Sequence, residues 1–300
     1  MSQKRTREDA RRTLIDTIRG VGVDVGDTVF VGIDMGKIPL PYIEASLSRD
    51  AIEKRNKALC AFVFETIKEV VGERGTIIVP TYSNTCARPG SVYVHERTPS
   101  EVGPFTEYVR RLDGSKRSVH PIFSVCAIGA RANEITEHCG GAAFGACSPF
   151  ARLSPCGAKF LCLGVPFHRS VTYVHHLEQS YGCNHRYNKV LTTRVVVDGV
   201  DVQGRFMAYL RFRGVKADAN LVRMEQLLLE QGALHQVMID GATFQSVLVA
   251  DVDALGYAAL KRESTFFLSR DVVIHLDDSQ VCDLLLDSPE VRLNLDVTSK

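Results

Sequence analysis

The densest cluster of chemistry-bearing side chains is Thr172-Tyr173-Val174-His175-His176-Leu177-Glu178. Thr172 suits the N-cap of a helix starting at Tyr173. His175 then falls in the first turn, and Glu178 lies three residues on, on the same face. Partial positive charge at a helix N-terminus lowers the proton affinity of a histidine and favours its neutral form. A neutral imidazole accepts a proton, and a carboxylate one turn away can hold its other nitrogen and stabilise the imidazolium. This is the logic of a His–Glu general-base dyad. The same spacing also occurs on solvated helix faces, where it contributes little.

Other clusters compete. His168, His175, His176, Cys183 and His185 lie close in sequence and carry zinc-type ligands, but without the paired spacing of a structural site. On the helix, His176 points away from His175 and suits packing. His120 precedes Pro121, which biases it away from helix and toward the mouth of the next strand, where α/β folds bind ligands. The glycine-rich segment Gly140 to Gly145 lacks the signatures of a P-loop or a dinucleotide site and suits close packing. Cys147 and Cys162 have no activating partner in sequence, and Gly-x-Ser-x-Gly is absent.

The elements that would position these groups follow from periodicity. Residues 7–19 pattern as an amphipathic helix, Thr28 to Ile33 as a buried strand, Asp50 to Val71 as a helix, and Thr76 to Val79 as a second strand. Thr81 to Arg97 has no period and suits a functional loop. Thr98, Pro99 and Glu101 form a capping-box signature for a helix to Arg111. Ser124 to Ile128 and Lys159 to Val165 pattern as strands, and Ser148-Pro149 as a helix start. Strands alternating with helices favour an α/β fold. Beyond it, Thr192 to Val197 and Val200 to Val202 flank an Asp198-Gly199 hairpin turn, and helices are expected near Leu221 to Gln231 and Asp251 to Arg262.

Composition bounds the partners. The chain has 300 residues, with 36 Lys+Arg against 35 Asp+Glu, a net charge of +1. That balance gives no support to nucleic-acid binding. Apolar runs are too short to span a bilayer, and the polar N-terminus is unlike a signal peptide. Nine cysteines, odd in number and without Cys-x-x-Cys spacing, suit reduced thiols in a cytoplasmic protein.

Six segments in this order resemble the aminoglycoside 3-N-acetyltransferase (antibiotic N-acetyltransferase) family. They are Gly26 to Val31; Gly75 to Ser83; Thr98 to Arg111; Arg117 to Ser124 with Ala127-Ile128-Gly129; Phe144-Gly145-x-x-Ser148-Pro149 with Arg152-Leu153; and Thr172-x-x-His175-x-x-Glu178. The resemblance implies a three-layer α/β/α fold with a mixed sheet, here with a hairpin and helical elaboration in the C-terminal third. Residues 1–270 would form one domain and 271–300 an appendage. It implies acetyl-CoA or another acyl-CoA as co-substrate, a primary amine of an amino sugar as acceptor, direct transfer and no metal. A homodimer is compatible with it. His175 matches the family's catalytic histidine and Glu178 its partner. Tyr82, Ser83, His120 and Ser124 match positions lining the cofactor tunnel or acceptor cleft, and Lys37, Arg117 and Arg152 are candidates for the CoA phosphates.

The chain departs from the family after its first strand. His-Ser-Ser is expected there, whereas this sequence has Gly32-Ile33-Asp34-Met35-Gly36-Lys37. Two hydroxyls that would meet the pantetheine arm are gone, and Asp34 is a candidate for a substrate ammonium group. Arg186-Tyr187-x-Lys189 looks more like members found with surface-polysaccharide biosynthesis than like the drug-resistance branch. Arg186 and Lys189 would suit an anionic acceptor such as a nucleotide-linked amino sugar. An aminoglycoside acceptor, a catalytically inactive binding protein and a metal-dependent hydrolase are the alternatives.

Overall fold

The computed structural model describes residues 5–43, 48–212 and 218–269, and the two short strands 273–275 and 296–298. In chain order the elements are α1 (Arg7–Gly20), β1 (Thr28–Ile33), α2 (Arg49–Val71), β2 (Thr76–Pro80), β3 (Val92–Val94), α3 (Pro104–Arg110), β4 (Lys116–Arg117), β5 (Val125–Gly129), α4 (Ala132–Thr136) and β6 (Lys159–Leu163). Then follow α5 (Phe167–Ser170), α6 (Val174–Tyr181), β7 (Arg186–Val190), β8 (Arg194–Val197), β9 (Val200–Asp201), β10 (Met207–Arg211), α7 (Val222–Glu230), β11 (His235–Ile239), β12 (Ala242–Leu248), α8 (Val249–Arg262), β13 (Val273–His275) and β14 (Asp296–Thr298). The expected appendage over 271–300 falls mostly outside the described residues.

Seven strands form one mixed sheet in the order β11-β12-β6-β1-β2-β5-β4. The central β6, β1 and β2 are parallel, and antiparallel strands extend both sides. Alternation along the central strands divides the core. Val29, Val31, Ile77, Val79 and Leu161 pack with Leu14, Ile18, Val63 and Ile67 of α1 and α2. Phe30, Ile78, Phe160 and Cys162 face the opposite layer, with Leu177 of α6 and Val252 and Leu260 of α8. Each face is therefore covered by helices, giving the expected three layers.

Local chemistry explains most boundaries. Thr6 caps α1 by accepting from the Asp9 amide, and Ser48 caps α2 by accepting from Ala51. Asp198 and Gly199 both have positive φ, as a tight turn with the twist of its flanking strands requires. Two expectations need correction. The capping-box helix does not start at Pro99: α3 starts at Pro104 after Gly103. The Thr98 hydroxyl instead accepts from the Val94 amide at 2.8 Å, and the Glu101 carboxylate is taken by Thr85. Thr98 is taken by the turn that precedes it, and Glu101 by a residue sixteen positions back, so neither is left for the cap. The loop from Thr81 to Arg97 is also partly ordered, because β3 pairs in parallel with β8 in a small three-stranded sheet.

One close approach sets the position of α6. A Cβ built on Gly256 of α8 would lie 2.5 Å from Leu177 Cδ1. Glycine here lets α8 press on the middle of α6, next to Glu178.

Candidate active site

The helix α6 follows β6 through a short turn and α5, so it starts at the C-terminal edge of the sheet, next to the end of β1. The Asp34 amide donates to the Leu163 carbonyl at 2.9 Å, tying the two strand ends together. His175 is the second residue of α6. Thr172 does not cap the helix with its side chain: only its backbone carbonyl is used, by the His175 amide at 3.1 Å.

His175 Nδ1 donates to Glu178 Oε2 at 2.7 Å. That fixes the tautomer, leaving Nε2 with a lone pair and no protein partner. The ring is partly exposed, at 21%, whereas the carboxylate is 1% exposed. Burial lowers the His175 pKa, the bonded Glu178 opposes this, and the Arg186 charge lowers it further. For Glu178 burial favours the neutral acid, yet the hydrogen bonds from His175 and His185 and the nearby cations win. Its carboxyl is held well below the usual range. The Phe144 ring closes one side of His175, edge to face with centroids 5.5 Å apart. Phe123 and Tyr82 continue this aromatic wall, at 4.9 and 5.4 Å.

Two further groups converge on Glu178. His185, fully buried, donates from Nε2 to Oε1 at 2.9 Å. Arg186 Nε lies 2.7 Å from Oε2, an ion pair whose N–H is not aligned as a hydrogen bond. Arg186 is therefore not a surface cation awaiting an anionic acceptor. Its side chain is 8% exposed and its guanidinium lies over the Tyr209 ring. His185 appears in the sequence only as one of several zinc-type ligands. Its signal as a carboxylate partner is its place just past Gly182, whose left-handed conformation ends α6 and turns the chain back beside the helix.

The remaining zinc-type ligands are dispersed among other partners. His168 donates to Glu225 at 2.7 Å, His176 to the Phe144 carbonyl at 2.6 Å, and Cys183 to the Ser264 carbonyl at 3.4 Å. Among the described residues no group of three or more His, Cys, Asp or Glu side chains is arranged to hold a metal ion.

Several residues expected at the cofactor are instead scaffold. All five N–H groups of Arg117 are used: by the Ser124 hydroxyl, the carbonyls of His95, Thr98 and Thr81, and the Ser83 hydroxyl, at 2.7–3.3 Å. No donor remains for a phosphate. Ser83 and Ser124 are fully buried in this network. Arg152 donates to the carbonyls of Glu134, Glu137 and His138 at the end of α4. His120 is also internal: its Nε2 donates to the Met207 carbonyl, and its Nδ1 accepts from the amides of Ile122 and Phe123. Burial pushes its pKa down to about 4. Lys189 on β7 is exposed.

At the departure from His-Ser-Ser, the space beside Gly32 is filled from elsewhere. A Cβ there would lie 2.7 Å from Ser170 Cβ. The Ser170 hydroxyl, 3.1 Å from Cys162 Sγ, thus brings a hydroxyl from α5 to the end of β1. Asp34 accepts from the Gly36 amide at 3.0 Å and pairs with Lys37 at 3.5 Å. The two are each other's partners, both half-exposed. Beside this turn runs a groove of about 460 Å3, lined by Met35, Gly36, Ile38, Arg5 and Arg55 among others.

Buried polar atoms without a hydrogen-bond partner are costly and mark sites of function. Among the described residues these are the Tyr82 hydroxyl, Gln179 Oε1, His185 Nδ1, Arg186 Nε and the Ser115 hydroxyl. Gln179, His185 and Arg186 lie on or just after α6, and Tyr82 packs in the aromatic wall that reaches His175.

Comparison with known proteins agrees with this architecture. Aminoglycoside N(3)-acetyltransferase VII of Streptomyces paromomycinus is 32% identical over 163 residues, 48% of this chain and 56% of that enzyme. The chain thus spans little more than half the length of that curated relative. The crystal structure of aminoglycoside acetyltransferase AAC(3)-Xa aligns with a TM-score of 0.69 at 21% identity, over 86% of this chain and 93% of that one. A structure described as AAC-IIIb binary with CoASH aligns with a TM-score of 0.66 at 21% identity, over 84% and 96%. The family model described as aminoglycoside 3-N-acetyltransferase matches residues 48–260, which hold β2, β5, β6, the aromatic wall and the His175–Glu178 pair, and the chain belongs to that family.

Proposed function

We propose that the protein is an acyl-CoA-dependent N-acyltransferase, with acetyl-CoA as donor and a primary amine of an amino sugar as acceptor. The observation that carries this is the partly exposed His175 ring, with Nδ1 committed to Glu178 and Nε2 free. An alkyl ammonium cannot attack a thioester until it loses a proton. Nε2 of His175 takes that proton, directly or through one water, so that the free amine bonds to the thioester carbonyl carbon. The second proton the nitrogen sheds on becoming an amide goes to the departing sulfur or to water. The carbon–sulfur bond then breaks and CoA leaves as its thiol or thiolate. Glu178 stabilises the imidazolium through the bond it already makes. Holding both substrates in one cleft supplies much of the remaining acceleration.

The donor's fit rests on the end of β1. The Ser170 side chain fills the space a side chain at Gly32 would take, and the groove beside Met35 and Gly36 is lined in part by Arg5 and Arg55. Arg55 and, at the cost of their exposed pairs with Asp240 and Asp34, Arg5 and Lys37 suit CoA phosphates better than Arg117 or Arg152, whose donors are used internally. Asp34 is the acidic group nearest that turn for an ammonium group, at the cost of its pair with Lys37.

An aminoglycoside antibiotic as acceptor is the second reading, favoured by the names of the relatives. The case for a phosphate-bearing acceptor is weaker than the sequence suggests, since Arg186 is internal and only Lys189 stays exposed. Thiol release from acetyl-CoA across aminoglycosides and nucleotide-linked amino sugars separates these acceptors. In His175→Ala we expect release to fall by about 10²–10⁴-fold. An undiminished rate in that variant would remove His175 from the mechanism.

A further inference from the structure

We propose that Arg186 is a positioning residue that neutralises Glu178, so that His175 faces a balanced ion pair and keeps its Nε2 lone pair at neutral pH, while His185 fixes the carboxylate's orientation. The inference rests on the reading of His175 as a base and extends it to the residues that set its basicity.

A histidine beside a bare buried carboxylate is a poor base at neutral pH. Opposite charges at hydrogen-bond distance, away from bulk water, attract strongly and stabilise the imidazolium. The ring would already hold the proton it is meant to accept. Here the same carboxylate oxygen serves a histidine and a permanent cation. Glu178 Oε2 is 2.7 Å from His175 Nδ1 and 2.7 Å from Arg186 Nε. A guanidinium stays charged at every pH at which a protein is folded. The balance is therefore permanent, and does not titrate away with the base it serves.

The surroundings add no competing charge. From the turn after α6, Cys183 faces the pair, and burial pushes its thiol up to about 12. From β10, Tyr209 lies under Arg186, and burial raises its phenol too. From the loop before β6 the uncharged Phe144 ring faces His175. On the α8 side, Asp253 is spent on the Tyr173 hydroxyl at 2.7 Å. From α6 itself Gln179 is neutral and bonds to Asn188. Among the described residues, the ionisable groups acting on His175 are thus Glu178, Arg186 and His185. The direction of the His175 shift agrees: burial lowers it, Glu178 raises it, Arg186 lowers it and His185, the smallest contributor, lowers it too.

His185 has a different part. Its Nε2 donates to Oε1, and its buried Nδ1 has no partner. Its one polar side-chain contact is Glu178, so it orients the carboxylate and leaves Oε2 for His175.

The test is a pH titration of the His175 ring by NMR in the full-length protein, assigned by its loss in His175→Ala, together with the pH profile of kcat/KM for thiol release. Wild type should titrate below 6.5, the ordinary histidine value. In Arg186→Gln the proton affinity of His175 should rise about tenfold or more. The acid limb of the profile should move to higher pH by the same factor, with the alkaline plateau within a few-fold. Arg186→Lys, which keeps the charge, should keep the wild-type midpoint. His185→Asn should lower kcat at every pH and move the acid limb less than Arg186→Gln does. An unmoved midpoint in Arg186→Gln, or a uniform loss of rate with no shift, overturns the Arg186 role. An unchanged kcat in His185→Asn overturns that of His185. If Arg186→Gln does not fold, the wild-type titration decides, and a midpoint above 6.5 sinks the inference. If no amine supports thiol release, the acyl-transfer reading has failed, and the NMR midpoints still judge Arg186.

Discussion

Glu178→Gln is the perturbation that most directly probes the centre of this site. The substitution keeps shape and removes one charge. In the wild type the carboxylate is 1% exposed, takes hydrogen bonds from His175 at 2.7 Å and His185 at 2.9 Å, and pairs with Arg186 at 2.7 Å. Removing one member of a buried ion pair leaves the other uncompensated, at a cost of about 3–5 kcal/mol. Near 2 °C per kcal/mol for a chain this long, that lowers Tm by roughly 6–10 °C. The sign of the pH dependence follows from the same carboxyl. Its folded pKa is depressed below 4.5, its ordinary value, so its stabilisation is complete above that pH and is lost as pH falls further. The gap in Tm between wild type and Glu178→Gln should therefore narrow below pH 4.5. Turnover should suffer independently, since the imidazolium loses its counter-charge; a loss of about 10²–10⁴-fold in kcat is expected at pH 7. Thermal melts at pH 7 and pH 4 and thiol-release kinetics read the two effects separately. Melts within 1 °C of wild type at pH 7 would refute the claim that Glu178 is the hub of the site.

Two more outcomes bear on residues expected at the cofactor whose polar groups have internal partners. Arg117→Lys cannot reproduce five fixed N–H bonds and should cost about 3 kcal/mol in urea unfolding, with KM for acetyl-CoA little changed; a large rise in KM without loss of stability would restore Arg117 to the phosphate site. Burial holds the folded pKa of His120 near 4 against 6.5 when free. The neutral ring's contribution is thus complete above pH 6.5 and is lost toward pH 4, by up to about 3 kcal/mol. The stability difference between wild type and His120→Gln should shrink by that amount between pH 7 and 4, and a constant difference would mean that His120 is solvated.

Local sequence carried much of this. The β1, β2 and β6 strands, the long α2 helix and the Asp198-Gly199 turn follow from periodicity and turn chemistry acting over a few residues. His175 and Glu178 are a local pair as well, because three residues along a helix is one turn whatever surrounds it. The same Asp-Gly signal closes the β11–β12 hairpin at Asp240-Gly241. Its outer strand is half exposed and has weak alternation, so its place at the sheet edge was not legible from periodicity.

The roles of the cations were decided only by tertiary contacts. In sequence, Arg117, Arg152 and Arg186 are equivalent positive charges near plausible ligand positions. Arg117 is committed by oxygens from residues 81, 83, 95, 98 and 124, which only the packing of β3, β4 and β5 brings together. Arg186 is drawn inward because β7 pairs with β10, turning its side chain over Tyr209 and onto Glu178. In the capping box at Thr98, Glu101 is lost to Thr85, sixteen residues away, whereas Thr98 itself closes a local turn onto the Val94 amide. A side chain's type states which bonds it can make, and its spacing states which neighbours it meets within one turn. Whether a charge ends in water, against a carboxylate or among carbonyls depends on which distant groups share its desolvated space, and that is fixed only when the sheet and its two helix layers close together.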